Sequence, residues 1–185
     1  MHFLKNVKLS GGIGNLIMSA QHYTDNHVAG ILQRIKTIAM VGASPKPYRA
    51  SHRVMKFLQE CGYRVIPVNI QTDIRRIRGE KVYASLELIP DKFQMVDIFR
   101  SVDHALQITK EAINLSKLKK IETIWMQLDI QSRPAAHIAK KAGLNIIMDR
   151  CPAIELRRLI KIGFLSSGVD GGQQFSHKDE RIYLT

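Results

Sequence analysis

Cysteine is scarce: the chain has Cys61 and Cys151 only, far apart and neither in a CxxC pair. That excludes a disulfide framework and a zinc knuckle, and both thiols are expected to be reduced. Long apolar runs are missing too. No stretch approaches the eighteen or more residues that cross a bilayer, and the start lacks the basic, apolar, small-residue order of a secretory signal. A cytoplasmic protein is expected. Seven histidines occur without HExxH or similar spacing, so no metal site is expected. Aromatics make up only 6% of residues, which disfavours the stacking platform of a charge-driven nucleic-acid module. Acidic residues are few, 16 against 28 basic ones, and none precedes Asp25.

What is present is a net charge of +12 on 185 residues that are 45% hydrophobic. The size and apolar content suit one core, and the charge attracts anions without choosing among them. The basic clusters at 75–81, 117–120 and 157–161 are short and separated by apolar segments, so they read as solvated helix ends and loops.

Periodicity organises the middle of the chain. TIAMV, 37–41, is a short apolar run ending at Gly42, and HRVMKFLQECGY places Val54, Phe57, Leu58 and Cys61 at helical spacing before Gly62. RVIPVN supplies a second strand at 65–69 after a connection of a residue or two, as a βαβ unit uses, so the two strands are expected to run parallel. KVYASL reads as a short strand and turn, 95–99 as a strand, and DHALQITKEAINLS as a helix. TIWMQL is another strand, HIAKKAG a helix closed by Gly143, and NIIMDR a last strand stopped by Pro152. Apolar strands alternating with helices predict an α/β, Rossmann-like open sheet, mainly parallel, with helices on both faces. The expected organisation is a domain over 25–162 with flexible tails at 1–24 and 163–185. The first tail is glycine-rich, and Met18 is a candidate start; Asp25 is read as the N-cap of a helix through Ile35.

In such sheets ligands bind outside the carboxyl ends of the strands. The stretch VGASPKPYRASHRV, 41–54, is the first of these ends. Gly42 permits a tight turn, Ser44 and Ser51 offer hydroxyls, and Ser51 is read as an N-cap. Lys46, Arg49 and Arg53 bring positive charge to the positive end of a helix dipole, so the loop is read as a phosphate site. A GxGxxG turn is absent, because Ala43, Ser44 and Pro45 follow Gly42, and the second strand ends in Asn69 where an acid would hold a ribose. Both features weigh against the rival of a small NAD(P)-dependent oxidoreductase.

VGASPKPYRASHRVMKFL, GYRVIPVN, GEKVYASL, VDIFR, WMQL and MDRCP, in that order across residues 34–158, resemble the stand-alone CoA-binding domain proteins. They are also similar to the CoA-binding domain of the succinyl-CoA synthetase α subunit. The resemblance implies a Rossmann-type domain that holds CoA or acyl-CoA by its ADP portion. It places Gly42, Ala43, Ser44, Lys46, Arg49, Ser51 and Arg53 along the phosphate loop, Asn69 near the adenosine, and Phe99, Arg100 and Ser101 on a further wall. CoA carries about four negative charges at neutral pH, which a basic protein suits. Two departures stand out: Asp129 follows WMQL where similar sequences have glycine, and IQTDIRRIRG replaces an asparagine-proline start.

No catalytic constellation is found. The phosphohistidine domain of the synthetase has no counterpart, His52 reads as a solvent-facing residue at a helix start, and Cys151 reads as closing the sheet. Trp125, Met126 and Met148 are expected in the core. The expected function is non-catalytic binding of CoA.

Overall fold

The computed structural model describes residues 23–71 and 73–166. Five helices, α1 (Asp25–Arg34), α2 (Ala50–Glu60), α3 (Val102–Lys119), α4 (Arg133–Lys141) and α5 (Pro152–Lys161), alternate with strands. The strands are β1 (Thr37–Val41), β2 (Arg64–Val68), β3 (Arg76–Ile77), β4 (Glu80–Lys81), β5 (Met95–Ile98), β6 (Thr123–Met126) and β7 (Asn145–Ile147). Five of them form a wholly parallel sheet in the order β2-β1-β5-β6-β7. β3 and β4 make a small antiparallel pair, and Tyr83 just beyond it bridges to Val68, which is the short strand and turn read from KVYASL.

The central strands are buried along their whole length because helices cover both faces. Alternation divides their side chains. Ala39, Val96, Ile98, Ile124 and Met126 pack with the alanines of α3 and α4, which let those helices approach closely. Met40, Met95 and Trp125 pack on the opposite side with Leu32 of α1, Met55 of α2 and Leu156 of α5. Trp125 is fully buried, and its indole N–H donates to the Arg150 carbonyl at 2.7 Å, so its polar edge is satisfied at the turn into α5.

Three expectations are corrected. Thr24, not Asp25, caps α1: its backbone is extended and its hydroxyl accepts from the His27 amide at 3.3 Å. Asp25 sits one residue inside the first turn, where its carboxylate instead takes two bonds from Arg158 of α5. α1 also ends at Arg34, one residue early, because Ile35 is already extended on its way into β1. Finally, the last strand ends at Ile147 and not at Arg150, because Asp149 takes a left-handed backbone with φ of +56°, and residues 152–161 form a helix that the sequence reading did not include. Pro152 is the first residue of α5, a position that needs no amide hydrogen, and it does not itself end the strand.

Most of the two expected tails, and Met18, lie outside the described residues. At their inner edges, the Tyr23 hydroxyl accepts from the Met148 amide at 2.9 Å, and Leu165 is buried in the layer beneath α5.

Trp125→Phe is expected to lower stability by about 1–3 kcal/mol, since it leaves the half-buried Arg150 carbonyl without its donor. For a chain of this size that is a fall in Tm of about 2–4 °C per kcal/mol, readable by calorimetry.

Candidate functional site

β1 has β2 on one side and β5 on the other, and the chain leaves β1 toward β2 before crossing back to β5. The loops after β1 and β5 therefore part at this point, the topological crevice of an open parallel sheet. Gly42 makes the crevice close. Its φ is +90°, and a Cβ there would stand 2.8 Å from the Phe99 carbonyl oxygen and 3.1 Å from the Arg100 side chain. Only glycine satisfies both the backbone angle and the approach.

The loop that follows uses its own backbone donors. The Ser44 amide donates to Ser51 Oγ at 3.1 Å, the Lys46 amide to Ser44 Oγ at 3.3 Å, and the Arg49 amide to the Lys46 carbonyl at 3.0 Å. Asn69 fastens the loop from β2, donating to the buried Ala43 carbonyl at 2.7 Å and accepting from the Gln71 amide at 2.9 Å. Ser51 is thus not the N-cap expected of it. Arg49 occupies that position with no side-chain cap bond, and Ser51, two residues later, points its hydroxyl back into the loop.

The cations are outside. Lys46, Arg49 and Arg53 are exposed, Arg53 donates to the Tyr48 carbonyl at 2.6 Å, and Arg49 lies 5.7 Å from the Tyr48 ring centre. Among the described residues no carboxylate pairs with any of these three or with Arg100.

Beside the loop opens a cavity of about 750 Å³. Arg53, Phe99, Arg100 and Ser101 of the expected residues line it; Gly42, Ala43, Ser44, Lys46, Arg49, Ser51 and Asn69 build the adjoining loop and are not part of its wall. Its other walls come from Val54 and Phe57 of α2, Gln127 and Leu128 after β6, and Cys151, Ile154 and Arg157 at the start of α5. The α2, α3 and α5 N-termini border it through Ala50, Val102 and Ala153. No side chain caps any of these three helices, whereas Thr24 and Ser132 cap α1 and α4. Each such end carries unsatisfied amides and a partial positive charge.

Sequence reading missed the α5 wall because it missed the helix. The signal was there: Ala153, Leu156 and Leu159 recur at helical spacing after a proline suited to the first turn. It also missed Asp97, an acid in the middle of an apolar strand. Asp97 has no exposed surface, its Oδ1 accepts from Gln127 Nε2 at 2.8 Å, and its Oδ2 has no partner. Burial raises its pKa to about 7, against the opposing effect of the Gln127 bond.

Nothing nucleophilic is poised here. Burial pushes the Cys151 thiol up to about 11, although the nearby Ile154 and Ala153 amides pull the other way without forming a cap bond; Cys61 stands at about 12 for the same reason. The His52 ring has no hydrogen-bond partner among the described residues, and burial together with Arg78 and Lys56 holds its pKa low. No cluster of metal-ligating side chains occurs among the described residues. Asp129, the departure after WMQL, has φ of +64°, with its amide held by Asp149 Oδ1 at 2.8 Å. A left-handed backbone explains why glycine suits this position and why aspartate is tolerated.

The fold and crevice define a Rossmann-like ligand-binding domain. Residues 36–157 match the family described as CoA binding domain, and the chain belongs to that family. It is 33% identical over 131 residues to the uncharacterized protein YneT of Bacillus subtilis, covering 71% of this chain and 93% of that one. It is 38% identical over 80 residues to the acetate–CoA ligase (ADP-forming) I subunit alpha of Pyrococcus furiosus, but these are 41% of this chain and only 17% of the ligase subunit. A solved structure of a hypothetical protein from Pyrococcus horikoshii is similar at 40% identity with a TM-score of 0.69, over 75% of this chain and 93% of that one.

Gly42→Ala is expected to cost about 1–3 kcal/mol in backbone strain alone, with the clash against Phe99 in addition. A fall in urea midpoint of the unliganded protein measures it. Asp97→Asn carries a pH signature. Below pH 4 the carboxyl is protonated in both folded and unfolded chains; between about 4 and 7 the folded chain keeps a proton that the unfolded chain has released. Native stability therefore falls as pH rises through this window, by about 1 kcal/mol per unit from this group, and is flat above it. The stability of the variant relative to the parent should rise from pH 4 to 7 in urea titrations.

Proposed function

We propose that the protein binds CoA non-catalytically, through the ADP portion, at the crevice between β1 and β5. The observation that carries this reading is an unneutralised positive rim. Lys46, Arg49, Arg53 and Arg100 lack carboxylate partners among the described residues, and three uncapped helix N-termini border the same cavity. Such a rim is matched by a polyanion of the charge of CoA.

Pro45 and Pro47 have no amide hydrogen, and the amides of Ser44, Lys46 and Arg49 are already bonded within the loop. Phosphate recognition thus falls to side chains and to the start of α2. In this reading Lys46, Arg49 and Arg53 hold phosphates, Gly42, Ala43, Ser44 and Ser51 shape the loop around them, and Asn69 borders the adenosine while it clamps the loop. Phe99, Arg100 and Ser101 form the wall along which the pantetheine runs. The proline turn and the absence of an acid after β2 disfavour a nicotinamide dinucleotide.

Lys46→Ala or Arg49→Ala is expected to weaken CoA binding by roughly 1–3 kcal/mol with little change in the Tm of the unliganded protein. Calorimetric titration at one fixed salt concentration checks both. CoA at about 100 times its dissociation constant should stabilise the fold by about 2.7 kcal/mol. NAD and NADP should not; an equal shift with either would overturn the assignment.

A further inference from the structure

The cavity is asymmetric, and its far side does not look like a phosphate site. Three of the nine large hydrophobic side chains that stand exposed among the described residues meet at its mouth: Val102 at 43%, Leu128 at 50% and Ile154 at 49% exposure. They come from three separate strand ends, so no single helix face explains their convergence. Exposed aliphatic side chains gathered around one opening mark a surface that is covered when a ligand is present.

Charge varies in the same direction. Arg53 and Arg100 stand on the side of the β1 loop. Beyond them, after β6 and β7, the lining is Leu128, Asp129, Ile130, Cys151 and Ile154. Asp129 is the one carboxylate in the wall. Two polar side chains there are already occupied or neutral: Gln127 donates its amide to Asp97, and the Cys151 thiol, raised to about 11 by burial, is protonated at neutral pH and presents an apolar surface. Arg157 also lines the cavity but stands on the α2 side, its guanidinium 4.5 Å from the centre of the ring of Phe57, which lies one helical turn from Arg53.

Resting on the reading that the phosphates of CoA lie at the β1 loop, we infer that the ligand is a CoA thioester whose neutral aliphatic acyl group packs against Val102, Leu128 and Ile154. Free CoA leaves these side chains in water. A dicarboxylic acyl group of the same length would bring a carboxylate up to Asp129.

Calorimetric titration of the full chain with CoA, acetyl-CoA, butyryl-CoA and succinyl-CoA, at one salt concentration, tests this. Each buried methylene is worth roughly fourfold in affinity, so butyryl-CoA, with two more, should bind about fifteenfold tighter than acetyl-CoA. Succinyl-CoA, with the same four-carbon chain, should bind at least about tenfold more weakly than butyryl-CoA, since its carboxylate must leave water for the aliphatic surface of Leu128 and Ile154 and stand beside the Asp129 carboxylate. Leu128→Ser combined with Ile154→Ser should remove the butyryl preference, bringing the affinities for butyryl-CoA and acetyl-CoA within twofold of each other. Both residues are half-exposed, so the double variant should melt near the parent. Butyryl-CoA within twofold of acetyl-CoA, a preference for succinyl-CoA, or a butyryl preference that survives the double variant would each overturn the inference while CoA still binds. Failure of CoA itself to bind would instead remove the CoA reading, and this inference with it.

Discussion

The approach of Gly42 to the Phe99 carbonyl governs the architecture around it. Parallel pairing brings Val41 of β1 level with Ile98 of β5, so the two strands release their loops at the same height. With no side chain at position 42, those loops separate at close quarters, and the β1 loop can bend away to start α2 while β5 runs on into α3. A β-carbon would push the loops apart by the width of the contact, and the Arg100 side chain would move with them. The cavity and the helix ends around it are therefore consequences of one backbone approach at the switch point.

The helix ends divide in a way that matches position. Where a helix begins away from the cavity, a hydroxyl closes it: Thr24 for α1 and Ser132 for α4. Where it begins on the cavity, the capping position is held by Arg49, Ser101 or Cys151, and no side-chain bond is made. Even Ser101, a good capping residue by type, turns its hydroxyl to His104 Nδ1 at 2.8 Å. Omitting a cap costs roughly 0.5–2 kcal/mol, and the amides left over are what an anion finds on arrival. Asp97 is a second such cost, a buried carboxyl with one oxygen unbonded beneath the cavity floor.

The sheet was legible because apolar strands and helical spacing are local patterns, and β1, β5 and β6 begin where the periodicity starts them. The loop was legible for the same reason: Gly42, two prolines and three cations fall within twelve residues. Reading failed where geometry is decided by distant partners. Asp25 has the side chain of a cap, but Arg158, 133 residues away, claims its carboxylate. Ser51 has it too, yet Ser44 takes the hydroxyl. α5 was passed over because Pro152 was weighed as a stop for the strand before it and not as a start for the helix after it. With α5 went a quarter of the cavity wall, which no local pattern ties to β1.

The central claim is that a phosphorylated ligand meets the loop after β1 and the three uncapped helix starts together. Amide resonances followed during a CoA titration test it most directly. The account predicts that the largest shifts fall on residues 44–53, 100–103 and 152–154, with the amides of α1 and of the β3–β4 pair unmoved. Shifts confined to the β3–β4 pair or to α4, with the starts of α2, α3 and α5 silent, would contradict it.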